Sequence, residues 1–402
     1  MNIVSVALAI LFSVCRLVPF APACGMQTPS NRENEDGFVL NVEEMELSDE
    51  FSAYAGEAGD RVPTRKILGM QDDKIYFTLA NQPLTAPAYP VLDALATYGI
   101  GDQKISVIEE FPPDKYFLQD ACIFQEELYY VIVDFKTFTA ELRSLSGGDK
   151  ALLKVDAGTN RRCYPRLLIR EERLYLLYLK DMDENRAILT LSELQDQDQD
   201  PFCTIYEREV VLPFGQHAES AVVLENLADD GGDCLIVSCL YDSERNSSIL
   251  LTFDGQEAEE ITVENHVASA YSSGSQILYT LRPEGLVENN NVDVGFYSHE
   301  DHCFSDISRL PQIADMKGLG KGKFLYHYRD AQNKSYLAAL EPGQKNSAVF
   351  ENIAEVPQLG YFVQGEGDSY LFVQEERSLS AGAIKIYVVQ EIKDSSEGQR
   401  NQ

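Results

Sequence analysis

Short apolar runs recur along most of the chain, separated by turns rich in Gly, Asp, Glu and Lys. Residues 128–133 (LYYVIV) follow one such polar turn, and residues 174–178 (LYLLY) follow the next. Runs of this length are typical of strands that are covered on both faces, and they are too short for core helices. The pattern predicts an all-β protein with a single short helix at residues 91–97.

The apolar runs return at a regular interval, with 42 to 61 residues between successive hydrophobic anchors. A period of about 40–50 residues with several strands per unit is typical of a β-propeller. One blade cannot bury both of its faces alone, whereas a ring buries each blade against the next. We expect a β-propeller over residues 61–393, with seven blades favoured, six or eight left open, and two stacked sandwiches as the rival fold. The anchors are Ile75, Leu128, Leu174, Leu235, Ile277, Phe324 and Tyr370.

The last repeat unit shows three strands instead of four, at residues 361–364, 370–375 and 383–390. Residues 38–42 (FVLNV) form an isolated strand-like segment near the N-terminus. If this segment joins the last unit, it closes the ring and removes a free sheet edge. We therefore expect a ring-closing strand at residues 38–42.

The N-terminus carries an apolar run at residues 3–15. It is too short for a membrane-spanning helix, which needs about 20 residues, and it fits the core of a signal peptide. Small residues at positions 21 and 23 predict a cleavage site, directly before Cys24. We expect residues 1–23 to be a signal peptide; an unmodified Cys24 and an uncleaved anchor stay open as alternatives.

An acidic segment separates the signal peptide from the repeats. Residues 25–60 contain ten acidic side chains and one basic side chain, Arg32. Such a composition predicts a disordered, self-repelling tether over residues 24–60, apart from the closing strand. The polar tail at residues 394–402 is also expected to be disordered.

The site around Cys24 resembles the lipobox of bacterial lipoproteins, and the repeat resembles their TolB-like β-propellers. The resemblance implies that Cys24 carries a lipid which holds the protein at the bacterial cell membrane, facing outside the cytoplasm. Secretion is the alternative address. It also implies that the propeller is a surface for binding or assembly instead of an enzyme.

Charge narrows the class of partner. The chain has 33 basic and 65 acidic side chains and a net charge of −32. Because this charge repels phosphate backbones, nucleic acid is excluded as a partner. A protein or a cell-surface polymer is the expected partner, besides the membrane that the lipid reaches.

Three functions remain open at this point. The favoured one is a non-catalytic envelope lipoprotein whose propeller binds a ligand. The second is a secreted hydrolase or lyase acting on carbohydrate or peptide, which needs a pair of inward carboxylates in the channel. The third is a structural subunit of an envelope complex, which needs a large apolar patch on one rim.

The candidate sites are few, and no catalytic residue is identified, since the chain lacks a G-x-S-x-G motif. Asp181, Asp183 and Asn185 share one turn and could bind Ca²⁺, although the turn lacks the Gly and Glu of an EF-hand loop. His299 and His302 lie in another predicted turn, with no further zinc ligand evident. We expect no cofactor, with Ca²⁺ as the alternative, and we expect most cysteines to be buried thiols.

Overall fold

The structure is a computed structural model, and it describes most of the chain between residues 40 and 391. The predicted signal peptide, Cys24 and the tail lie outside the described residues. Residues 24–39 and 56–60 of the predicted tether lie outside them as well. The described residues are 40–55, 61–83, 90–148, 150–156, 165–170, 173–181, 186–195, 201–211, 222–223, 236–242, 247–253, 258–282, 291–311, 313–320, 322–330, 332, 334–342, 348–356, 360–367, 369–378 and 381–391.

Strands dominate the described residues, and they form seven antiparallel sheets, here named I to VII in chain order. Sheet I contains β3 (Arg61–Thr64), β4 (Ile67–Gln71), β5 (Lys74–Pro83), β6 (Val91–Gly99) and β7 (Ile105–Glu110). Sheet II contains β8 (Tyr116–Phe124), β9 (Glu127–Asp134), β10 (Ala140–Ser144) and β11 (Leu153–Val155). Sheet III contains β12 (Arg166–Arg170), β13 (Arg173–Asp181), β14 (Arg186–Leu194) and β15 (Phe202–Val211).

The second half of the chain repeats this arrangement. Sheet IV contains β16 (Val222–Val223), β17 (Ile236–Asp242), β18 (Ser247–Phe253) and β19 (Ala258–Glu264). Sheet V contains β20 (Val267–Ser273), β21 (Gln276–Leu281), β22 (Asn291–Ser298), β23 (Cys303–Phe304) and β24 (Ser308–Pro311). Sheet VI contains β25 (Ile313–Gly320), β26 (Lys323–Arg329), β27 (Ser335–Pro342) and β28 (Ala348–Val356).

Sheet VII combines the two ends of the described chain. It contains β29 (Gly360–Gln364), β30 (Ser369–Arg377) and β31 (Ala381–Glu391), together with β1 (Leu40–Glu44) and β2 (Ala53–Ala55). A four-residue helix, α1 (Asp49–Ser52), lies between β1 and β2.

The sequence anchors fall at one structural position. Each described anchor lies at or near the start of the second principal strand of its sheet, from Ile75 in β5 to Tyr370 in β30. Leu235 lies outside the described residues, directly before β17. The first strands of neighbouring sheets contact one another at the centre, as β4 contacts β8 and β29. The prediction of an all-β propeller is confirmed.

Hydrophobic side chains fill the spaces between neighbouring sheets. The described core residues form seven clusters, and each cluster joins two consecutive sheets. The cluster between sheets VII and I, for example, brings Ile67 and Phe77 against Leu371 and Ile386. Because every sheet is covered on both faces, its strands are apolar at successive positions, which accounts for the runs in the sequence.

Both N-terminal strands pair with the outer edge of β31. Residues 40–42 of the expected closing segment are described, and β1 pairs Leu40 with Glu391 and Val42 with Val389. Strand β2 pairs farther along the same edge, from Ala53 opposite Ala383. The N-terminal segment thereby covers the edge that β31 would otherwise expose.

Two expectations about local structure are wrong. Residues 91–97 form part of β6 instead of a helix, because this segment is covered by protein on both faces and pairs with β5. Three of the cysteines that were expected to be buried are not: Cys203 and Cys303 are exposed, and Cys122 is half-buried. No helix in the described residues is long and apolar enough to cross a membrane.

Candidate functional site

The innermost edge of sheet I is interrupted between β3 and β4, at Arg65 and Lys66. Both strands pair with β5, β3 with its end and β4 with its beginning. Thr78 bridges the interruption from both sides: its N–H donates to the Lys66 carbonyl at 2.9 Å, and its Oγ1 accepts the Lys66 N–H at 3.0 Å. The N–H and the carbonyl of Lys66 are therefore both hydrogen-bonded although the strand is interrupted at this residue. The interruption also takes the side chains of Arg65 and Lys66 out of the regular alternation of a strand.

Arg65 holds the N-terminal helix. Its Nη1 donates to the Phe51 carbonyl at 2.9 Å and to the Glu50 carbonyl at 3.2 Å, two carbonyls of α1. Its guanidinium also lies 4.5 Å from the centre of the Tyr54 ring, a cation–π distance. Arg65 therefore has a structural role, since it binds α1 and Tyr54 of the N-terminal segment to sheet I.

Lys66, in contrast, lines a cavity of about 310 Å³ where sheets VII, I and II meet. The side chain remains accessible to solvent although protein surrounds it on nearly all sides. Burial lowers the pKa of Lys66 below its ordinary value, while Asp120 opposes this shift and Arg166 adds to it. Within the described residues, no carboxylate lies within ion-pair distance of this ammonium.

Hydroxyl groups and apolar walls complete the cavity. Thr78 and Leu92 line it from sheet I, Leu118 from sheet II, and Tyr361 and Arg377 from sheet VII. The Tyr361 hydroxyl oxygen accepts the N–H of Ile67 at 3.0 Å, so sheet VII is bonded to the first strand of sheet I. Burial raises the pKa of Tyr361 above its ordinary value, so its hydroxyl stays protonated.

Arg377 is already neutralised. Its Nε and Nη2 donate to the two oxygens of Glu375 at 2.7 and 2.6 Å, a bidentate ion pair. The Tyr54 hydroxyl donates to the same carboxylate at 2.5 Å. Arg377 therefore brings a charged side chain to the cavity wall without adding net charge.

Two inner strands carry aspartates, and both carboxylates bond to backbone. Asp120 follows a bulge in β8 and accepts N–H bonds from Ala121 at 3.0 Å and from Leu167 of sheet III at 2.9 Å. Asp315 follows a bulge in β25 and accepts the N–H of Met316 at 2.9 Å and of Phe362 at 2.6 Å.

These two aspartates share one structural role. Each joins its own inner strand to the inner strand of the next sheet, so their oxygens are engaged before any substrate arrives. Burial is the main cause that raises the pKa of Asp315. The described inner strands therefore offer no free pair of carboxylates of the kind that the hydrolase hypothesis requires.

The structure brings His299 and His302 together in the turn between β22 and β23. His299 Nε2 lies 3.0 Å from Oε2 of Glu259, and His302 Nδ1 lies 3.4 Å from Oε1 of the same carboxylate. Glu259 belongs to β19 of sheet IV, so the cluster links sheets IV and V. Within the described part of the chain, no group of three or more His, Cys, Asp or Glu side chains is arranged to hold a metal ion.

Of the other predicted site residues, Asp181 is the one that lies among the described residues. Asp181 ends β13, where it pairs with Ala187, while Asp183 and Asn185 lie outside the described residues, as does Cys24. The described large hydrophobic side chains that are exposed are Val107, Phe304 and Ile307. They do not form the extended apolar rim that the structural-subunit hypothesis requires.

Sequence reasoning missed Lys66, Tyr361 and Arg377, and the first and last of these are more than 300 positions apart. One local signal was present: Arg65 and Lys66 are adjacent basic residues between two apolar strands of a strongly acidic chain. The partner Glu259 was missed because nothing near the two histidines in the sequence points to it.

Comparisons with known proteins find similar solved structures at low sequence identity. No protein-family model matches the chain, and no curated protein matches it. The β-propeller domain of the trilobed protease from Pyrococcus furiosus is similar in structure, with 10% identity, 85% of this chain and 98% of that chain covered, and a TM-score of 0.49.

Two further solved structures show a similar level of likeness. An oligogalacturonate lyase in complex with manganese is 10% identical and covers 88% of this chain and 97% of its own, with a TM-score of 0.48. A fucose-specific lectin from Aleuria aurantia is 11% identical and covers 74% and 96%, with a TM-score of 0.38.

Proposed function

We propose that this chain is a seven-bladed β-propeller that binds a ligand, without transforming it, in the cavity where sheets VII, I and II meet. The seven described sheets and the hydrophobic cluster between each neighbouring pair support seven blades. A rigid ring of this kind fixes the loops and strand ends that line a binding site.

One observation carries the choice of binding over catalysis. The inner-strand carboxylates of Asp120 and Asp315 each accept two backbone N–H groups, whereas the cavity contains an ammonium and hydroxyl groups that are free to contact a ligand. Paired carboxylates are the usual machinery of glycoside hydrolysis, and they must be free to exchange protons. The ligand is a protein or a surface polymer, of which one unit enters the cavity.

A binding experiment with a turnover control tests this function. A panel of N-acetylated peptides and of neutral and acidic oligosaccharides is titrated calorimetrically, and each mixture is then analysed for products by mass spectrometry. We expect at least one probe to bind and to be recovered intact. Leu118→Trp fills the cavity and should abolish this binding, whereas Val107→Trp, on the exposed outer strand of sheet I, should retain it.

Two results would contradict the proposal. Conversion of any bound probe into products would favour an enzyme. Equal binding by wild type and Leu118→Trp, or no binding in the whole panel, would remove the cavity as the ligand site.

We also propose that Cys24 carries a lipid that holds the propeller at the bacterial cell membrane, outside the cytoplasm. This address rests on the signal-like run at residues 3–15 and on the small residues before Cys24. Mass spectrometry of the mature N-terminus should find an acylated Cys24, and an unmodified Cys24 would contradict the anchor.

A further inference from the structure

The polar groups that line the cavity present donors to a ligand. The Lys66 ammonium carries N–H donors and no acceptor. The Tyr361 hydroxyl oxygen already accepts the N–H of Ile67, and Thr78 Oγ1 already accepts the N–H of Lys66. The protons of both hydroxyls have no acceptor among the described residues, so they remain available to a ligand oxygen.

The side chains that line the cavity carry one uncompensated positive charge, on Lys66. Arg377 is compensated by its bidentate contact with Glu375, which leaves Lys66 as the uncompensated charge among the described lining residues. A single negative charge matches this cation, whereas a dianion would bring an enclosed negative charge that has no partner. The protein as a whole carries −32 and repels anions at long range. An anionic ligand must therefore be held by these local contacts.

Apart from Thr64, the remaining walls of the cavity are apolar, and the space is small. Pro90, Leu92 and Leu118 line the cavity beside the donors. A volume of about 310 Å³ lies at the lower end of the range of about 300–1,000 Å³ that is usual for small-molecule sites. The space therefore suits one amino-acid residue or one sugar unit, with an uncharged body against the apolar wall.

We infer that the cavity recognises a single carboxylate on an otherwise uncharged unit, with Lys66 as the counter-charge and the Tyr361 and Thr78 hydroxyls as further donors. This inference rests on the binding function proposed above and specifies its ligand. A bound carboxylate would oppose the lowering of the Lys66 pKa by burial, because a nearby opposite charge favours the ammonium.

The first test uses the unaltered full chain. N-acetyl-leucine, its uncharged amide, D-glucuronate and inorganic phosphate are titrated separately by calorimetry. We expect N-acetyl-leucine or glucuronate to bind at least about tenfold more tightly than the amide. A hydrogen bond to a charged group contributes enough free energy to change an affinity by about this factor. The tighter of the two acids tells whether the carboxylate belongs to a peptide or to a sugar. Equal binding of acid and amide, or tightest binding of phosphate, overturns the inference.

The second test removes the cation. Lys66→Met removes the charge while keeping most of the length of the side chain, and it should weaken binding of the acid about 10- to 100-fold while leaving binding of the amide unaffected. Lys104→Met removes an exposed lysine from the connection between β6 and β7 of the same sheet, away from the cavity lining, and should leave binding unchanged. Thermal unfolding of both variants checks that the fold is retained, and Lys66→Gln serves as a second neutral variant. Acid binding that survives both Lys66 substitutions overturns the inference.

Failure of the inference can be separated from failure of the proposed function. If an uncharged probe binds wild type but not Leu118→Trp, the cavity is a binding site and the carboxylate inference alone is wrong. If none of the probes in either panel is sensitive to Leu118→Trp, both fail.

Discussion

His327 makes the stability of this propeller depend on pH. It lies in β26 and is completely buried between sheets VI and VII, with its ring 4.7 Å from the ring of Phe372. Burial lowers the pKa of His327 from 6.5 to about 4, and Arg329 adds to this shift while the nearby Gly360 backbone opposes it. Neither ring nitrogen has a hydrogen-bond partner among the described residues. Between these two pKa values, His327 is therefore neutral in the folded protein and protonated in the unfolded chain.

The direction and the size of the change in the free energy of unfolding with pH follow from proton linkage. Well above pH 6.5 the imidazole is neutral in both the folded and the unfolded state and has no effect on the pH dependence of stability. As the pH falls from 6.5 towards 4, only the unfolded chain takes up the proton, so the free energy of unfolding decreases. A pKa shift of this size corresponds to a decrease of about 3 kcal/mol in the free energy of unfolding. Below the pKa of the folded state, His327 is protonated in both states and the decrease does not grow further.

Urea unfolding of wild type and His327→Leu at about pH 7 and about pH 4.5 measures this contribution. Leu is of similar volume and cannot titrate, so the variant keeps every other pH-dependent term, including the opposite contribution of Asp315, whose pKa is raised. We expect wild type to lose about 2–3 kcal/mol more than the variant over this interval. Equal losses in the two proteins would refute the assignment of a neutral, buried His327.

Two further predictions concern packing and are measured by the same urea unfolding at neutral pH. A Cβ on Gly318 would lie 2.2 Å from the Ser272 carbonyl oxygen of sheet V, so Gly318→Ala should cost about 1–3 kcal/mol. Gly101→Ala, where a Cβ meets nothing within 4 Å, should change stability by less than about 0.5 kcal/mol. Phe51 of α1 is fully buried against the rings of Phe77 and Tyr98 in sheet I, so Phe51→Ala should cost about 3–5 kcal/mol. Val107→Ala, on the exposed outer strand of the same sheet, should cost little. A destabilised Gly101→Ala or an unaffected Phe51→Ala would contradict these assignments.

Periodicity predicted the strands well because it reports burial, and burial in this fold is regular. Each blade is covered on both faces, so runs such as residues 128–133 are apolar at successive positions and mark the second strand of a sheet. The error at residues 91–97 has the same origin. A segment that is buried on both faces has no alternation to distinguish a strand from a helix, and its alanines favour a helix only in isolation.

The sequence by itself determined the all-β class, the repeat and the segment that pairs with β31, since each depends on the local pattern of apolar and polar residues. Only the tertiary structure decided which polar side chains meet. Lys66 and Tyr361 share a cavity because closure places sheet VII beside sheet I, and His299 contacts Glu259 because sheets IV and V are neighbours. Local patterns record how deeply a residue is buried, whereas these contacts depend on how the sheets are arranged around the ring.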